Sequence, residues 1–390
     1  MNRRRFVVGA GLLAGATVVG VGLPDREAPV VTLPDIGGTP PLMPPGRIDV
    51  QQQYWPPQYV QALQARGLGD LPQWSPAQAL ELLDQQGMQS AIVALPAPGV
   101  FFGDAQAAAG LARRCNEFAA ELAVAHPGRF GQFASVPLPA TEQACIEAIY
   151  ALDHLHADGV TLLGSNAGVF LGDSRFEELM AELDRRHASL LVQANLHPSS
   201  TQLGLGTPPM LLETVCDLTR AAVNLVFTGT LERYPRINWI LANGGGFLPY
   251  AAWRISLANA LPDFSEQVPQ GVMSYLRRFY FSSAQASSSA PMAVLRELVE
   301  PSQVLYGSGW PVAPATQVQE EQGLLKSSTI WTADQQRGIE REHALRLFPR
   351  LRVAGERVIA APVHVRESTG QWLGRMAKKP IGALAEGLKD

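Results

Sequence analysis

RIDVQQQ, residues 47–53, is the first of eight short apolar runs that alternate with longer helix-like stretches. This alternation is typical of parallel βα units. Eight such units over about 300 residues predict an α/β fold, a closed (β/α)8 TIM barrel spanning residues 47–352. The seven other predicted strands are Ser90–Leu95, Gly131–Val136, Gly159–Leu163, Ser189–Gln193, Asn238–Asn243, Phe279–Ala284 and Val304–Gly309.

An open, doubly wound sheet is the alternative architecture for the same alternation of elements. That fold usually carries a Gly-rich phosphate-binding turn directly after its first strand. Residues 54–60, which follow the first predicted strand, contain no glycine. The closed barrel is therefore the favoured interpretation.

The N-terminal residues resemble an export signal. Arg3 and Arg4 precede Phe6, and a Gly/Ala-rich apolar run follows as far as Leu23. This pattern is typical of a twin-arginine signal and predicts a periplasmic or otherwise exported protein, with residues 1–23 as the signal segment. An uncleaved segment that anchors the chain in the membrane is the alternative.

The parts of the chain outside the predicted barrel carry no recognisable chemistry. Residues 24–46 are rich in Pro and Gly and are interpreted as a linker. Residues 353–390 form a C-terminal extension that could pack on the barrel or on a second copy in a homodimer. The formal net charge of −4 argues against nucleic acid as a partner, because such proteins usually carry a basic patch.

Barrel enzymes place their catalytic side chains at the carboxyl ends of the strands. Here these ends carry neutral groups: Gln51 and Gln53 on the first strand, Gln193 on the fifth, Asn243 on the sixth and Gly309 after the eighth. No cluster of His, Cys, Asp or Glu stands at these ends with the spacing of a metal site. The sequence therefore predicts a barrel mouth that is lined with amides.

Several separated motifs resemble the amidohydrolase-related family that includes aminocarboxymuconate-semialdehyde decarboxylase and related aromatic-acid decarboxylases. The motifs lie at residues 48–57, 127–131, 229–235, 244–254, 305–311 and 344–348, in the family's order. The resemblance implies a barrel of the amidohydrolase type. It also implies that Gln51, Gln53, Gln193 and Gly309 occupy metal-ligand positions, and that Asn243 occupies the position of an acid/base histidine.

These replacements predict that the metal centre is lost and that no cofactor is bound. Zinc favours imidazole, thiolate and carboxylate ligands, which the amides do not supply. Asn243 cannot exchange a proton near neutral pH. We therefore expect a pseudoenzyme that binds a small acid or a protein partner. The alternative is an active hydrolase or decarboxylase of the same superfamily, with or without a metal, acting on a small cyclic or aromatic acid.

Four further residues are candidates for substrate binding. Trp310, Tyr54 and Phe102 could form an aromatic wall around a flat acid, and ordinary packing is the alternative. His197 follows the fifth strand and could reach the mouth as a substitute base, and an exposed loop histidine is the alternative. Asp49 shares the inward face of its strand with Gln51, either as a carboxylate near the mouth or as a buried acceptor for backbone donors.

Overall fold

Eight parallel strands form the centre of the protein in a computed structural model, which describes residues 45–203, 205–260, 266–354 and 356. Their order around the sheet is β1-β2-β3-β4-β7-β8-β9-β10. The strands are β1 (Arg47–Gln53), β2 (Met88–Ala94), β3 (Phe130–Ser135), β4 (Gly159–Leu163), β7 (Ser189–Gln193), β8 (Asn238–Leu241), β9 (Tyr280–Ser282) and β10 (Val304–Leu305).

Backbone hydrogen bonds between the last and first strand regions bring the two edges of this sheet together. The N–H of Val50 donates to the carbonyl of Tyr306 at 2.9 Å, and the N–H of Gly309 donates to the carbonyl of Gln51 at 2.8 Å. The eight predicted strands and the (β/α)8 barrel are thus confirmed. A short antiparallel hairpin, β5 (Ser165–Asn166) and β6 (Val169–Phe170), follows β4 and was not predicted.

Helices alternate with the strands along the chain. They are α1 (Pro57–Gln64), α2 (Pro76–Gln85), α3 (Ala105–Ala125), α4 (Thr141–Asp153), α5 (Glu177–Arg185), α6 (Ser200–Leu203), α7 (Glu213–Phe227), α8 (Thr230–Arg233), α9 (Leu248–Ser256), α10 (Val272–Leu276), α11 (Ser289–Leu298), α12 (Ala315–Ser327), α13 (Ala333–Arg337) and α14 (His343–Leu347).

Local signals explain where some of these helices begin. The Ser75 hydroxyl accepts the N–H of Gln78 at 3.2 Å, ahead of Pro76 at the first helical position of α2. The Asp104 carboxylate accepts the N–H of Ala107 at 2.6 Å and caps α3 in the same way. α3 begins directly after the loop that follows β2, so the Asp104 cap also fixes a loop at the mouth of the barrel.

The core lies within and around the barrel wall. Every residue of β2, Met88–Ala94, is buried, as expected for a parallel strand that is covered on both faces.

The regions predicted before and after the barrel lie outside the described residues, apart from a few residues at their boundaries. The signal segment 1–23, most of the linker and nearly all of the extension 353–390 are therefore predictions. None of the described helices has the length and apolarity needed to cross a membrane.

Candidate functional site at the barrel mouth

Two amide side chains, one at the end of β1 and one directly after β8, are joined across the mouth of the barrel. The Nε2 of Gln51 donates to the Oδ1 of Asn243 at 2.8 Å, and the backbone N–H of Asn243 donates to the Oε1 of Gln51 at 3.1 Å. These two hydrogen bonds fix the orientation of both carboxamide groups, because the nitrogen and the oxygen of an amide cannot exchange roles. The structure thus brings the predicted acid/base position and one predicted ligand position into direct contact.

Asn243 lies on a sharply turned segment after β8. Its φ of +49° is in the left-handed region, and the next three residues are glycines with positive φ. A Cβ on Gly244 would lie 2.6 Å from the Cβ of Ala286, and one on Gly245 would lie 2.6 Å from the Phe281 ring. The Gly-Gly-Gly sequence therefore lets the backbone approach β9 closely and turns Asn243 toward the barrel mouth.

A third amide extends the pair across the mouth. The Nδ2 of Asn243 donates to the Oε1 of Gln285, and Gln285 itself has a left-handed φ of +57°. The backbone N–H of Gln285 donates to the Oε2 of Glu321 on α12 at 2.8 Å. Burial of the Glu321 carboxyl raises its pKa, and hydrogen bonds from Gln317 and Gln285 work in the opposite direction.

Gly309 lies beside this chain of amides. Its φ is +69°, and its N–H donates to the carbonyl of Gln51. A Cβ there would meet only Ala313 and Ala284, at ordinary contact distances of 3.6 and 3.7 Å. The position has space for a small side chain, and its backbone conformation is the one that favours glycine.

Gln193 ends β7 and is anchored by both hydrogens of its amide. Its Nε2 donates to the carbonyl of Leu95 at 2.8 Å and to the Oγ1 of Thr161 at 2.9 Å. Both acceptors line a small cavity that opens to solvent at the ends of β2, β3 and β4. Polar and apolar atoms contribute about equally to the cavity surface, and the apolar residues include Val100, Phe101, Val136, Leu138 and Leu163.

Two polar atoms near the mouth are buried without a hydrogen-bond partner among the described residues. They are the Oε1 of Gln53 and the Oγ of Ser135, which lies at the end of β3 and lines the same cavity. Buried polar groups are rarely left unpaired in native proteins. These two atoms are therefore candidates for contact with a ligand or water.

Asp49 is fully buried beneath the mouth. It accepts the N–H of Gln51 at 3.0 Å, the N–H of Ser308 at 2.9 Å and the hydroxyl of Ser308. Burial raises its pKa against these hydrogen bonds. The contacts match the alternative in which Asp49 is a buried acceptor that ties β1 to the segment after β10.

The predicted aromatic wall does not form as a unit. Tyr54 is fully buried between β1 and α3, where its hydroxyl donates to the carbonyl of Cys115 at 3.0 Å and its ring stacks with Phe118. It turns toward the helical layer because it follows the inward-facing Gln53 by one position. Trp310 is buried, with 8% of its surface exposed to solvent. Phe102 is half-buried in the β2–α3 loop, with the Arg66 guanidinium 4.0 Å from its ring centre.

His197 connects two loops at the rim. Its ring stacks on Phe170 of β6 at a centroid distance of 4.9 Å. Its Nδ1 lies 2.7 Å from the Ser199 hydroxyl and its Nε2 lies 3.1 Å from the carbonyl of Gly168. Both ring nitrogens are thus engaged in local contacts that hold the β5–β6 hairpin against the loop after β7.

Sequence reasoning missed Gln285, Glu321 and Ser135. Gln285 and Glu321 are 36 residues apart and meet only in the folded barrel. Ser135 could have been found, because it is the last residue of a strand, on the face of the barrel where catalytic residues lie.

The described mouth can bind and orient a ligand through neutral amides. Gln51 Nε2 and Asn243 Nδ2 each carry two hydrogens, and each donates one within the amide chain. The second hydrogen of each nitrogen finds no acceptor among the described residues. A carboxylate accepts hydrogen bonds only, so it is a suitable partner for these two donors.

Comparison with known proteins gives three relevant matches. A family model described as amidohydrolase matches residues 48–350. A decarboxylase from Aspergillus niger is 34% identical over 333 residues, which cover 80% of this chain and 89% of that protein. The 6-methylsalicylic acid decarboxylase of Penicillium expansum is 33% identical over 320 residues, which cover 78% of this chain and 97% of that protein.

One solved structure corrects the expectation that no cofactor belongs to this type of site. A dihydroxybenzoic acid decarboxylase from Polaromonas, with bound manganese and the inhibitor 2-nitroresorcinol, has a TM-score of 0.70 and 20% identity, covering 79% of this chain and 98% of that one. The prediction of no cofactor is therefore wrong, because a barrel of this fold carries a divalent metal.

The side chains at this barrel mouth differ from the ligands that a divalent metal usually has in proteins. Within the described ranges, no group of three or more His, Cys, Asp or Glu side chains is placed to hold a metal. The amides that occupy the mouth are neutral, and the Gln51 Oε1 already accepts the N–H of Asn243. They do not fit a set of imidazole or carboxylate ligands.

Proposed function

Because the chain belongs to the amidohydrolase family, we propose that it is an aromatic-acid decarboxylase, a carboxy-lyase that takes a small aromatic carboxylic acid at its barrel mouth. The support comes from relatives that are 33% and 34% identical over about four fifths of this chain and are decarboxylases. The P. expansum relative acts on 6-methylsalicylic acid.

The observation that carries the proposal is the pair of spare amide hydrogens on Gln51 and Asn243. These donors lie at the carboxyl ends of the strands, where barrel enzymes bind their substrates. An acid's carboxylate would accept a hydrogen bond from each of them. Amides keep the same charge across the pH range, so the protein's side of this contact does not change with pH.

Decarboxylation replaces the carboxylate with a proton and releases carbon dioxide. Asn243 cannot supply that proton. Asp49 is enclosed by Ser308 and the N–H of Gln51. The amides would therefore position the acid, and the proton would come from a donor other than these two residues.

A second candidate is an acid-binding barrel that does not turn its ligand over. The observation that favours it is the reciprocal Gln51–Asn243 bond, since neither amide of this pair can exchange a proton near neutral pH. Such a protein would bind the same class of acid and release no carbon dioxide.

The test is carbon dioxide release from carboxyl-labelled 6-methylsalicylate and 2,6-dihydroxybenzoate, with and without added Mn²⁺. An active relative serves as the positive control, and binding is measured in parallel by calorimetry. Release that is lost in Asn243→Gly supports the decarboxylase. Saturable binding without release supports the second candidate. If neither acid binds and neither is decarboxylated, both proposals fail.

A further inference from the structure

Two residues of the mouth hold an unfavourable backbone conformation side by side. Asn243 follows β8 and Gln285 follows β9, and their φ values are +49° and +57°. The left-handed region costs a non-glycine residue roughly 1 kcal/mol, less for Asn than for Gln. Such a conformation persists only where the surrounding contacts determine it. The Gln285 backbone therefore needs a partner that holds it.

Glu321 supplies that contact. Its Oε2 accepts the backbone N–H of Gln285 at 2.8 Å, and its Oε1 accepts the Nε2 of Gln317 at 2.9 Å. Glu321 and Gln317 lie one turn apart on α12, so the Gln317 amide orients the carboxylate toward the β9 loop. Hydrogen bonds to an ionised acceptor are stronger than those between neutral groups.

The side chain of Gln285 transmits this constraint to the mouth. Its Oε1 accepts the Nδ2 of Asn243, which leaves the Oδ1 of Asn243 directed at Gln51. An amide that rotated by half a turn would present a nitrogen to the Gln51 nitrogen and lose both bonds. The orientation of the Asn243 amide thus depends on contacts that begin at Glu321 on α12 and reach Asn243 through Gln285.

We propose that Glu321 is a positioning residue for the barrel mouth, which holds Gln285 in place and through it fixes the orientation of the Asn243 carboxamide. Glu321 does not touch the reacting atoms. Its effect on ligand affinity rests on the proposed function, whereas its effect on Asn243 does not.

The experiment compares Glu321→Leu with Glu321→Gln, which keeps one oxygen acceptor, and with Glu320→Gln on the exposed side of the same helix. The first readout is the side-chain amide signal of Asn243 in ¹⁵N-Asn-labelled full-length protein, assigned by its loss in Asn243→Gly. The second readout is the Kd for 2,6-dihydroxybenzoate. Thermal unfolding confirms that each variant is folded.

In Glu321→Leu we expect the Asn243 amide signal to shift and its hydrogens to exchange faster, and the Kd to rise about five-fold, the equivalent of one net hydrogen bond. Glu321→Gln, which keeps an oxygen acceptor but loses the charge, should change both readouts less than Glu321→Leu does, and Glu320→Gln should match the wild type. An unchanged Asn243 signal in Glu321→Leu, or an equal change in Glu320→Gln, overturns the proposal.

The experiment also distinguishes a wild-type protein that does not bind the acid from a Glu321→Leu variant that does not fold. If wild-type protein does not bind the acid, the proposed function fails, and the Asn243 signal still decides the role of Glu321. If Glu321→Leu does not fold, Gln285→Gly replaces it, since glycine tolerates the left-handed backbone and removes the connecting carboxamide. The Asn243 signal must then change in the same way, and its constancy would refute the proposal.

Discussion

Gln51 and Asn243 are 192 residues apart in sequence and form a reciprocal pair, with 2.8 Å between Gln51 Nε2 and Asn243 Oδ1 and 3.1 Å between the Asn243 backbone nitrogen and Gln51 Oε1. The pair joins the end of β1 to the segment after β8. Each side chain supplies a hydrogen-bond partner to the other residue. This pairing links the two segments at the barrel mouth through neutral groups.

Removal of one partner should destabilise the protein. In Gln51→Leu the backbone N–H and the Oδ1 of Asn243 lose their partners, and we expect the free energy of unfolding to fall by about 1–3 kcal/mol. Urea denaturation measures the change. The control Gln319→Leu alters an exposed glutamine of α12 and should change stability by less than about 0.5 kcal/mol. Equal losses in both variants would show that the pair has no special role.

Close backbone approach makes Gly244 hard to replace. Gly244→Ala adds a Cβ 2.6 Å from that of Ala286, at a φ of +60°. Gly206→Ala is a matched control, because Gly206 has a φ of +68° and nothing within 4 Å of its added Cβ. We expect Gly206→Ala to cost roughly 1 kcal/mol for the conformation alone. Gly244→Ala should cost about 1–3 kcal/mol more in urea unfolding, and similar costs would contradict the close contact.

A buried histidine should make the fold sensitive to acid. Burial lowers the pKa of His343 from about 6.5 to about 4, and its Nδ1 lies 3.0 Å from the carbonyl of Val304. The unfolded chain therefore binds the proton more readily. The stability that neutral His343 provides is present above about pH 6.5 and is lost as the pH falls toward 4.

Urea midpoints measured from pH 7.5 to 4.5 should fall less steeply in His343→Asn than in the wild type. His187→Asn serves as the control, since His187 is exposed and has the left-handed φ of +53° that Asn tolerates. It should follow the wild-type slope. An unaltered slope in His343→Asn would show that other groups determine the acid sensitivity.

The N-terminal arginine pair predicts export through the twin-arginine route. Replacing both Arg3 and Arg4 with Lys should leave the protein in the cytoplasm, because the route recognises the paired guanidinium groups. Arg5→Lys keeps the pair and should be exported normally. Cell fractionation followed by immunoblotting measures the outcome, and normal export of the double variant would exclude this route.

The strand ends of the barrel could be predicted from sequence because hydrophobic runs mark parallel strands directly. RIDVQQQ ends at the same Gln53 in the sequence pattern and in the structure, and Gln193 likewise ends its strand. Parallel strands in a barrel end on one face, so the presence of both Gln51 and Asn243 at the mouth followed from topology, whereas the hydrogen bonds between them did not.

Side-chain direction beyond the strand ends could not be predicted in the same way. Tyr54 directly follows a strand and turns into the helical layer, where Trp74 and Phe118 pack against it. Glu321 lies on a helix surface with no motif around it, and its contact with Gln285 depends on how α12 lies against the β9 loop. Such contacts between distant loops carry no periodic signal.

Equilibrium binding of 6-methylsalicylate to the full chain tests the central claim, which is that an aromatic acid docks on the Gln51–Asn243 pair. Isothermal titration calorimetry should show a single saturable site whose Kd rises about ten-fold in Asn243→Gly, which keeps the left-handed backbone and removes the amide. Gln319→Leu should bind like the wild type. The absence of saturable binding, or a Kd that is the same in Asn243→Gly and in the wild type, would contradict the claim.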